Sequence, residues 1–468
     1  MSIELSYKPL YRQIYDILYQ RITSSVYKIG EELPPEKSLA AEFGVSISTI
    51  RQAVGLLVEE GLIIRKQGVG TFVSNNPLKL AFFGWIGETE KGHQVISKII
   101  ELFEKKNPNL KVEYINSRYE DVKRNYIDMV QNGSAPDVVQ IDNNWTSSLA
   151  SMGLLEPLAG LLPDSNLQSR DPDVDLKGGT YKGQLFSVAW GLGPSALIYN
   201  KKLAKKFGLN LNGEITLQDF VEVCVQISSH SQNDGVAAFG LAKNIDIIYN
   251  LYPFFSAFSA DVVDDGGQIV IDHAEMELAF RWIKELLEKS RVAVGEDLRE
   301  LRRYLLQDKL VFLQDGPWIG GILREETGFA DISEHFGVLV NPGRTDEAFS
   351  SFTRNHSLAI SSISTNKDIA GKFVDFLTSD PEVTALFVNN TGLLPASRDL
   401  GRSLGGDPYY GPFLRQLRRS KPLNANSPYF EKALRFAADA AVNILFEEHD
   451  LRKELAEKAY YLRMLYAD

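Results

Sequence analysis

The sequence predicts a multidomain chain in which a small α+β domain precedes a larger, doubly wound α/β body. The chain has 468 residues, which is too long for a single hydrophobic core. Helical apolar patterns followed by two short strands fill residues 1–75. From Leu80 onward, buried strands alternate with helices, as in a layered α/β fold. The short stretch 76–79, which includes Pro77, is the predicted linker, so we expect the two parts to lie close together.

Two short helices separated by a tight turn are predicted between residues 36 and 59. The first runs from Glu36 to Phe43 and is followed by Gly44, a residue that readily adopts the left-handed conformation at a helix end. Ser46 is a good N-cap for the second helix, Ser48 to Glu59. A preceding helix is indicated by apolar residues at helical spacing, namely Leu10, Ile14, Ile17, Leu18 and Ile22. This order is typical of a helix-turn-helix.

A β-hairpin is predicted directly after these helices. Ile63-Ile64 and Phe72-Val73 read as its strands. The glycines of the tip let the backbone approach phosphate, and Arg65 and Lys66 supply positive charge. Residues 1–75 contain eight Lys/Arg and eight Asp/Glu, so DNA binding would depend on the local placement of the basic side chains.

The segment from Leu33 to Val73 resembles the winged helix-turn-helix of the GntR family of bacterial transcription regulators. The resemblance rests on Leu-Pro-Pro-Glu-Lys-Ser-Leu-Ala-Ala-Glu-Phe-Gly-Val-Ser-Ile-Ser-Thr-Ile-Arg-Gln-Ala-Val and on the closing Gly-Leu-Ile-Ile-Arg-Lys-Gln-Gly-Val-Gly-Thr-Phe-Val. It implies double-stranded operator DNA as a partner. The residues that it places against DNA are Lys37, Ser46, Thr49, Arg51, Gln67 and Gly68.

Two positions depart from many members of that family. Pro35-Glu36-Lys37 stands where they have Ser-Glu-Arg, and Ile47 stands where they have an arginine. Arg51 can still contact guanine O6 and N7 with two hydrogen bonds, whereas Ile47 offers only apolar contact to a thymine methyl. We therefore expect the operator sequence to differ from those of relatives.

The composition excludes several classes of function. The net charge of −11 lies wholly beyond residue 75, which argues against a second nucleic-acid surface and against an anionic membrane. Cys224 is the single cysteine, so neither a disulfide nor a thiolate metal site is expected. The sequence shows no secretion signal and no apolar run of about twenty residues. We therefore expect a cytoplasmic protein.

The α/β body contains clear strand and helix signals. Leu80–Phe83, Val112–Ile115 and Val138–Ile141 read as buried strands. Thr216-x-x-Asp219 predicts a capping box, and Asp380-Pro381 predicts an N-cap with proline at the first helical position. This alternation predicts a parallel sheet.

Residues 80 to about 400 resemble the solute-binding proteins of carbohydrate ABC transporters, the maltose-binding-like group. Four signatures carry this resemblance. They are Ser134-Ala135-Pro136-Asp137-Val138-Val139 with Gly153-Leu154-Leu155-Glu156-Pro157-Leu158, Tyr181-Lys182-Gly183-Gln184-Leu185-Phe186-Ser187-Val188 with Leu197-Ile198-Tyr199-Asn200-Lys201-Lys202, Asp315-Gly316-Pro317-Trp318, and His356-Ser357-Leu358-Ala359-Ile360 with Ala370–Leu377. The resemblance implies a periplasmic-binding-protein-like fold of type II. Residues 80–190 with about 346–400 would form one lobe, and 191–345 with about 401–468 the other.

A carbohydrate would then lie in the cleft between the lobes, against aromatic platforms and convergent polar groups. Strand-end loops supply most candidates, because open α/β sheets bind ligands there. The predicted ligand-binding residues are Trp85, Glu88, Lys91, Asp142, Asn143, Trp145, Trp190, Tyr252, Phe255 and Trp318. The sequence offers no basis to choose between Phe254 and Phe255.

The resemblances together predict a regulator that senses a carbohydrate and binds its operator as a homodimer. No cofactor or metal is expected, since the six histidines lack metal-ligand spacing. One alternative is a pyridoxal-phosphate enzyme or regulator of the MocR type, although no Ser-x-Ser-Lys stretch is present. A second alternative is a sugar-binding protein whose winged helix only dimerises.

Overall fold

A computed structural model of the protein describes residues 9–211, 213–231, 234–344, 351–422 and 427–466. The N-terminal domain comprises α1 (Leu10–Thr23), α2 (Glu36–Phe43), α3 (Ile47–Glu59), β1 (Ile63–Lys66) and β2 (Gly70–Val73). Both predicted helix signals are confirmed. Gly44 ends α2 with a φ of 65°, and the Ser46 hydroxyl accepts a hydrogen bond from the amide of Thr49 at 3.2 Å.

The helices of this domain enclose a small apolar core. Ile14, Leu18 and Ile22 of α1 face Ile50 and Leu57 of α3, and all five are buried. The spacing of these residues along each helix gives one apolar stripe. The packing therefore fixes α3 against α1 and leaves the opposite face of α3 in solvent.

The first lobe begins with a strand two residues earlier than predicted. Its first elements in chain order are β3 (Leu78–Gly84), α4 (Glu90–Lys106), β4 (Leu110–Asn116), α5 (Tyr119–Gln131), β5 (Val138–Asp142), α6 (Thr146–Ser151), α7 (Asp164–Gln168), β6 (Thr180–Tyr181), β7 (Gln184–Leu185) and β8 (Ser187–Leu192).

The chain then crosses into a second lobe at residues 193–195. The elements that follow are β9 (Ala196–Asn200), α8 (Lys201–Lys206), α9 (Leu217–His230), β10 (Ala237–Ala242), α10 (Asp246–Ala257), α11 (Ala274–Lys289), β11 (Val292–Gly295), α12 (Leu298–Leu306), β12 (Leu310–Asp315), α13 (Ile319–Thr327) and β13 (Phe336–Leu339).

The remaining described elements return to the first lobe and end on the second. They are β14 (Ser351–Thr353), β15 (His356–Ile360), α14 (Lys367–Ser379), α15 (Pro381–Thr391), β16 (Leu394–Pro395), α16 (Arg398–Arg402), α17 (Tyr410–Leu417), β17 (Ser420–Pro422), α18 (Phe430–Phe446) and α19 (Leu451–Tyr466). The predicted capping box at Thr216 and the N-cap at Asp380 are confirmed. The predicted lobe boundaries stay predictions, and the one at residues 345–346 lies outside the described residues.

Each lobe is built on one mixed sheet, so the expectation of a parallel sheet is wrong in part. The first sheet has the order β16-β8-β15-β5-β3-β4, and the second has the order β11-β10-β12-β9-β13. β15 is antiparallel to β5 and β8, and β9 is antiparallel to β12 and β13. These strands directly follow the crossings between the lobes, so they enter their sheets from the opposite end to the strands of the βα units.

The N-terminal domain packs directly on the first lobe. Asn109, in the loop between α4 and β4, is buried. Its Nδ2 donates hydrogen bonds to the carbonyl oxygens of Ile22 (2.7 Å) and Tyr27 (2.8 Å), and its Oδ1 accepts one from the amide of Ile29 (3.0 Å). Because all three partners are backbone atoms, this side chain fixes the position of the N-terminal domain on the lobe.

Candidate functional site

The exposed face of α3 forms the first candidate site. Ser46 and Thr49 lie at the start of the helix, where their hydroxyls are 2.8 Å apart, and Thr49 is half-buried. Arg51 lies on the next turn with 63% of its side chain exposed. Ile47 is also exposed, at 42%. The N-terminal turn of α3 therefore presents hydroxyl, guanidinium and apolar groups to solvent, as a recognition helix does.

Glu36 joins this helix to the hairpin. Its two carboxylate oxygens lie 3.1 Å from Nε of Arg51 and 3.1 Å from Nη2 of Arg65. Both arginines are exposed enough to exchange this carboxylate for a phosphate or a base edge. The ion pairs hold the two guanidinium groups on one side of the domain, which sequence spacing alone does not reveal.

The other predicted DNA contacts lie on the same exposed surface. Lys37 is exposed at the start of α2. Lys66, Gln67 and Gly68 are exposed at the hairpin tip, where Gly68 has a φ of 71° that favours glycine. The amine of Lys66 lies 4.6 Å from the centre of the Phe72 ring. All eight predicted residues are thus placed on the helix-turn-helix and its wing, and their contact with DNA stays a prediction.

Aromatic rings from three strand-end loops line the second candidate site, the cleft face of the first lobe. Trp85 follows β3, Tyr119 begins α5, and Trp145 follows β5. The ring of Trp85 lies 5.3 Å from that of Tyr119 and 6.0 Å from that of Trp145. Tyr119 and Trp145 are stacked at 5.5 Å. These rings form a continuous aromatic wall, in which Trp85 and Trp145 are each 8% exposed. Aromatic faces are the groups on which a sugar ring stacks.

Asp142 and His356 add polar groups to this wall. The hydroxyl of Tyr119 donates a hydrogen bond to Asp142 at 3.0 Å. The imidazole of His356 lies against Trp85 at 4.9 Å. Burial and the neighbouring Arg354 lower the pKa of His356 to about 3, so its ring is neutral at physiological pH.

Arg354 lies in the middle of the cleft, and the sequence analysis missed it. It sits between β14 and β15, at the crossing back to the first lobe. Its Nη2 donates a hydrogen bond to the hydroxyl of Tyr119 at 2.7 Å and lies 3.5 Å from Asp142. The available signal was a charged residue between two buried strands, two positions before the start of the His356–Ile360 signature.

Residues of the second lobe face this arginine. The guanidinium carbon lies 3.9 Å from the ring centre of Tyr249 in α10 and 5.8 Å from that of Trp318. Asp315, at the end of β12, is held by Arg302 through two hydrogen bonds of 2.7 and 3.2 Å. Tyr249 and Arg302 were not predicted, because their helices carry no motif in the sequence.

Asn143 and Asn355 join the cleft to the crossing strands. The amide of Asn355 donates to Oδ1 of Asn143 at 2.9 Å, and the amide of Asn143 donates to the carbonyl of Asn355 at 3.1 Å. Nδ2 of Asn143 is buried and has no hydrogen-bond partner among the described residues. Oε1 of Gln314 in β12 is in the same condition. Unpartnered buried polar atoms in or beside a cleft are candidates for ligand contacts.

Glu88 and Lys91 lie at the edge of the cleft. Both side chains are exposed, and Glu88 accepts a hydrogen bond from the amide of Tyr119 at 3.3 Å. Lys91 belongs to the first turn of α4. The structure therefore places these two residues beside the aromatic wall, not within it.

Three predicted ligand-binding residues pack inside the lobes, away from Arg354 and the aromatic wall. Trp190 is 2% exposed and stacks on Phe387 at 4.1 Å inside the first lobe. Tyr252 and Phe255 are fully buried in α10 of the second lobe. Their rings satisfy the packing of each lobe, and we therefore remove them from the candidate site. A half-buried neighbour on the same helix, Tyr249, reaches the cleft.

The described part of the chain shows neither a cluster of metal-binding side chains nor a membrane-spanning helix. Its His, Cys, Asp and Glu side chains nowhere form a group of three or more that could hold a metal ion. Within the same residues, none of the helices has the length and apolar character needed to cross a membrane.

Two family models match the chain in separate regions. The model described as "Bacterial regulatory proteins, gntR family" matches residues 10–73. The model described as "Bacterial extracellular solute-binding protein" matches residues 87–384, which is more than half of the chain. Neither model covers residues 74–86, which contain the short connection and β3.

Individual relatives divide in the same way. The mannosyl-D-glycerate transport/metabolism system repressor MngR of Escherichia coli (strain K12) is 40% identical over 87 residues, which is 19% of this chain and 36% of that protein. The maltotriose-binding protein of Pyrococcus abyssi is 24% identical over 268 residues, 56% of this chain and 55% of that protein. The chain thus spans only about a third to two fifths of the length of the curated regulators it matches.

A solved structure supports the fold of the larger part. The sugar-binding protein MalE from Xanthomonas citri superimposes with a TM-score of 0.71 at 19% sequence identity, covering 83% of this chain and 97% of that one. At this identity the likeness concerns the fold alone. With the match over residues 87–384, it shows that the chain belongs to the bacterial extracellular solute-binding protein family and carries a gntR-family winged helix at its N-terminus.

Proposed function

We propose that this protein is a transcription regulator that binds operator DNA through its winged helix and a carbohydrate through its interlobe cleft. One observation carries the proposal: the winged-helix domain packs directly on the first lobe, and the cleft between the two lobes contains a cluster of aromatic rings. Asn109 makes that mounting rigid through three hydrogen bonds to the backbone of the N-terminal domain. A ligand that changes the relative position of the two lobes can therefore change how the protein binds DNA.

The proposed operator is two-fold, and the proposed regulator is a homodimer. Two winged helices would read half-sites about one helical turn, or ten base pairs, apart. Carbohydrate binding would draw the lobes together by a hinge motion at residues 193–195 and 354–355. Since the winged helix is fixed to the first lobe, such closure moves the second lobe relative to the DNA. Coupling of this kind is typically about 1–3 kcal/mol.

The test combines a ligand screen with an operator titration. A thermal-shift screen of mono- and oligosaccharides, including maltotriose and mannosyl-D-glycerate, identifies a sugar that stabilises the protein. Fluorescence anisotropy with DNA from upstream of the protein's own gene then measures operator affinity with and without that sugar. A sugar that stabilises the protein and leaves operator affinity unchanged contradicts the proposal, as does an absence of sequence-specific binding.

Arg51→Ala tests the DNA-binding surface. We expect operator binding to weaken by about 1–3 kcal/mol, because a guanidinium that contacts a guanine edge is lost. Arg402→Ala is the matched control, since Arg402 is an exposed arginine on α16 with a partner only in its own helix. Anisotropy titrations of both variants check the prediction. Equal affinities for Arg51→Ala and the control would show that Arg51 does not contact the operator.

A further inference from the structure

The guanidinium of Arg354 is enclosed by aromatic rings from both lobes. Its carbon lies 3.9 Å from the ring centre of Tyr249, 5.8 Å from that of Trp318 and 5.9 Å from that of Tyr119. Tyr119 belongs to the first lobe, whereas Tyr249 and Trp318 belong to the second. Only 15% of the arginine side chain is exposed. Cation–π attraction is strongest in such a desolvated setting.

A carboxylate completes this enclosure. Asp142 is 4% exposed, lies 3.5 Å from Nη2 of Arg354, and accepts the hydroxyl hydrogen of Tyr119. The same Tyr119 hydroxyl accepts a hydrogen bond from Arg354 at 2.7 Å. A buried charge is tolerated only when it is paired and hydrogen-bonded, and these groups meet both conditions. Aromatic faces with one carboxylate form a site for an organic cation.

Hydrogen bonds at the hinge hold the backbone of Arg354 in place, so only the side chain of Arg354 has to move when its guanidinium enters or leaves the subsite. Its amide donates a hydrogen bond to the carbonyl of Gly193 at 2.9 Å. The following residue, Asn355, is bonded to Asn143 in both directions. The side chain can leave the aromatic rings by rotating its own bonds, while the crossing strands stay in place.

Two other ion pairs join the lobes. Glu120 and Arg299 lie 2.5 Å apart, but both side chains are more than 60% exposed, and exposed ion pairs contribute little to stability. Lys123 and Glu431 form a second pair that is partly buried, with 22% and 31% of their side chains exposed. Of these contacts, the guanidinium of Arg354 is the one that lies among aromatic rings of both lobes.

We propose that Tyr119, Tyr249, Trp318 and Asp142 form a cation-binding subsite in the cleft. In the absence of an effector, the guanidinium of Arg354 occupies this subsite and holds the two lobes together. If the proposed function holds, a sugar that stacks on these rings first displaces the guanidinium, and the lobes then close around the sugar and no longer around Arg354. The displacement by a sugar rests on the proposed function, whereas the cation subsite does not, because neither DNA nor sugar is needed to observe it.

The test follows the separation of the lobes in the full-length protein. Glu120→Cys and Arg299→Cys place two thiols directly opposite each other across the cleft, and pyrene labels at both positions give excimer emission when the lobes are together. Cys224 is fully buried, and burial raises the pKa of its thiol, so it does not compete for the label. In this background, ligand-free protein should show strong excimer emission.

Arg354→Ala should lose most of that emission, and millimolar ethylguanidinium should restore it by refilling the subsite. Ethylurea, which is neutral and similar in shape, should not. Tyr119→Phe removes only the hydroxyl partner without leaving a cavity, and should lose part of the emission. Arg402→Ala is the matched control and should behave as the parent. Circular dichroism and thermal melts confirm that each variant is folded.

Three results would overturn the proposal. The first is unchanged excimer emission in Arg354→Ala. The second is a loss in Arg354→Ala that ethylguanidinium fails to reverse, since that indicates a packing defect and not an empty cation subsite. The third is equal restoration by ethylurea, since that excludes a role for charge. A failure of operator binding leaves all three measurements intact, so this inference and the proposed function fail separately.

Discussion

At the scale of single residues, the cleft combines a permanently charged guanidinium with an imidazole that the fold keeps neutral. Arg354 and His356 are two positions apart on the chain as it returns to the first lobe. His356 packs edge-on against Trp85, and its Nδ1 lies 3.5 Å from Nε2 of Gln140. Protonation of this ring would place a second cation beside Arg354 in a largely desolvated site. The pair therefore makes the cleft sensitive to acid.

This arrangement predicts a pH dependence of stability. The pKa of His356 falls from 6.5 to about 3 on folding, so the unfolded chain binds a proton that the folded protein does not. The contribution of His356 to the free energy of unfolding is fully present above pH 6.5 and is lost as the pH falls toward 3. Within that range the free energy of unfolding falls by no more than about 1.4 kcal/mol per pH unit. Urea unfolding of the wild type and His356→Gln at several pH values within that window measures the difference. Parallel pH profiles for the two proteins would show that His356 does not titrate as described.

At the scale of elements, two junctions decide how the parts move. The hinge consists of the two antiparallel crossings, in which the carbonyl of Gly193 accepts the amide of Arg354 and Ser195 donates to the carbonyl of Phe352. The seam between the N-terminal domain and the first lobe depends on Asn109. The hinge consists of two short crossing segments, whereas the seam contains the buried side chain of Asn109 and its three hydrogen bonds to backbone atoms. Motion is therefore expected at the hinge and not at the seam.

Gly193→Ala tests the close packing of the hinge. A Cβ at this position would lie 2.3 Å from the carbonyl oxygen of Arg354 and 2.6 Å from a ring carbon of Trp318. We expect the variant to be less stable by about 1–3 kcal/mol, because the backbone must shift to make room. Gly406→Ala is the matched control, since its Cβ would meet nothing within 4 Å. Chemical unfolding compares the two variants, and equal stabilities would contradict this account of the hinge.

Asn109→Ala tests the seam. The change leaves the amide of Ile29 and the carbonyls of Ile22 and Tyr27 without this partner. We expect a local loss of about 1–3 kcal/mol, because buried polar groups are left unpaired. Hydrogen exchange should therefore be faster at residues 22–30. Asn132→Ala, at an exposed helix end, is the control, and unchanged exchange in Asn109→Ala would show that the seam is held by other contacts.

At the scale of the whole molecule, the winged helix and the first lobe form one unit and the second lobe forms the other. The described contacts of Asn109, together with the packing of Tyr19 against the cores of both the N-terminal domain and the first lobe, join the first unit. Arg354 and exposed ion pairs join the two units across the cleft. In the proposed homodimer, a change at the cleft would alter the placement of one second lobe relative to both DNA-binding domains.

Trp318→Ala tests this modular arrangement. Trp318 lies on the second lobe at the cleft, and it is remote in sequence from α3. We expect the variant to lose the sugar-dependent change in operator affinity and to keep the affinity of the sugar-free protein. Operator titrations with and without the sugar identified by thermal shift measure both quantities. Equal loss of sugar response and of basal operator binding would argue against a separable sensor.

Much of the architecture follows from local sequence. Gly44 and Ser46 end and begin helices where their backbone and side-chain chemistry requires it. Thr216 and Asp380 do the same in the larger body. Trp85, Trp145 and Trp318 could be placed near the cleft because they follow strand ends, where an α/β sheet opens.

The identity of the cleft residues required the tertiary structure, because it depends on which face of a largely buried helix a ring projects from. Tyr252 and Phe255 share α10 with Tyr249, yet only Tyr249 reaches the cleft. Ten of the twelve residues of α10 are buried, so no polar face marks its orientation in the sequence. The contact between Asn109 and Ile22 spans 87 residues, and that between Arg354 and Tyr119 spans 235. Local pattern determined the domains and their helix ends, whereas long-range packing alone decided what fills the cleft and what fixes the winged helix to it.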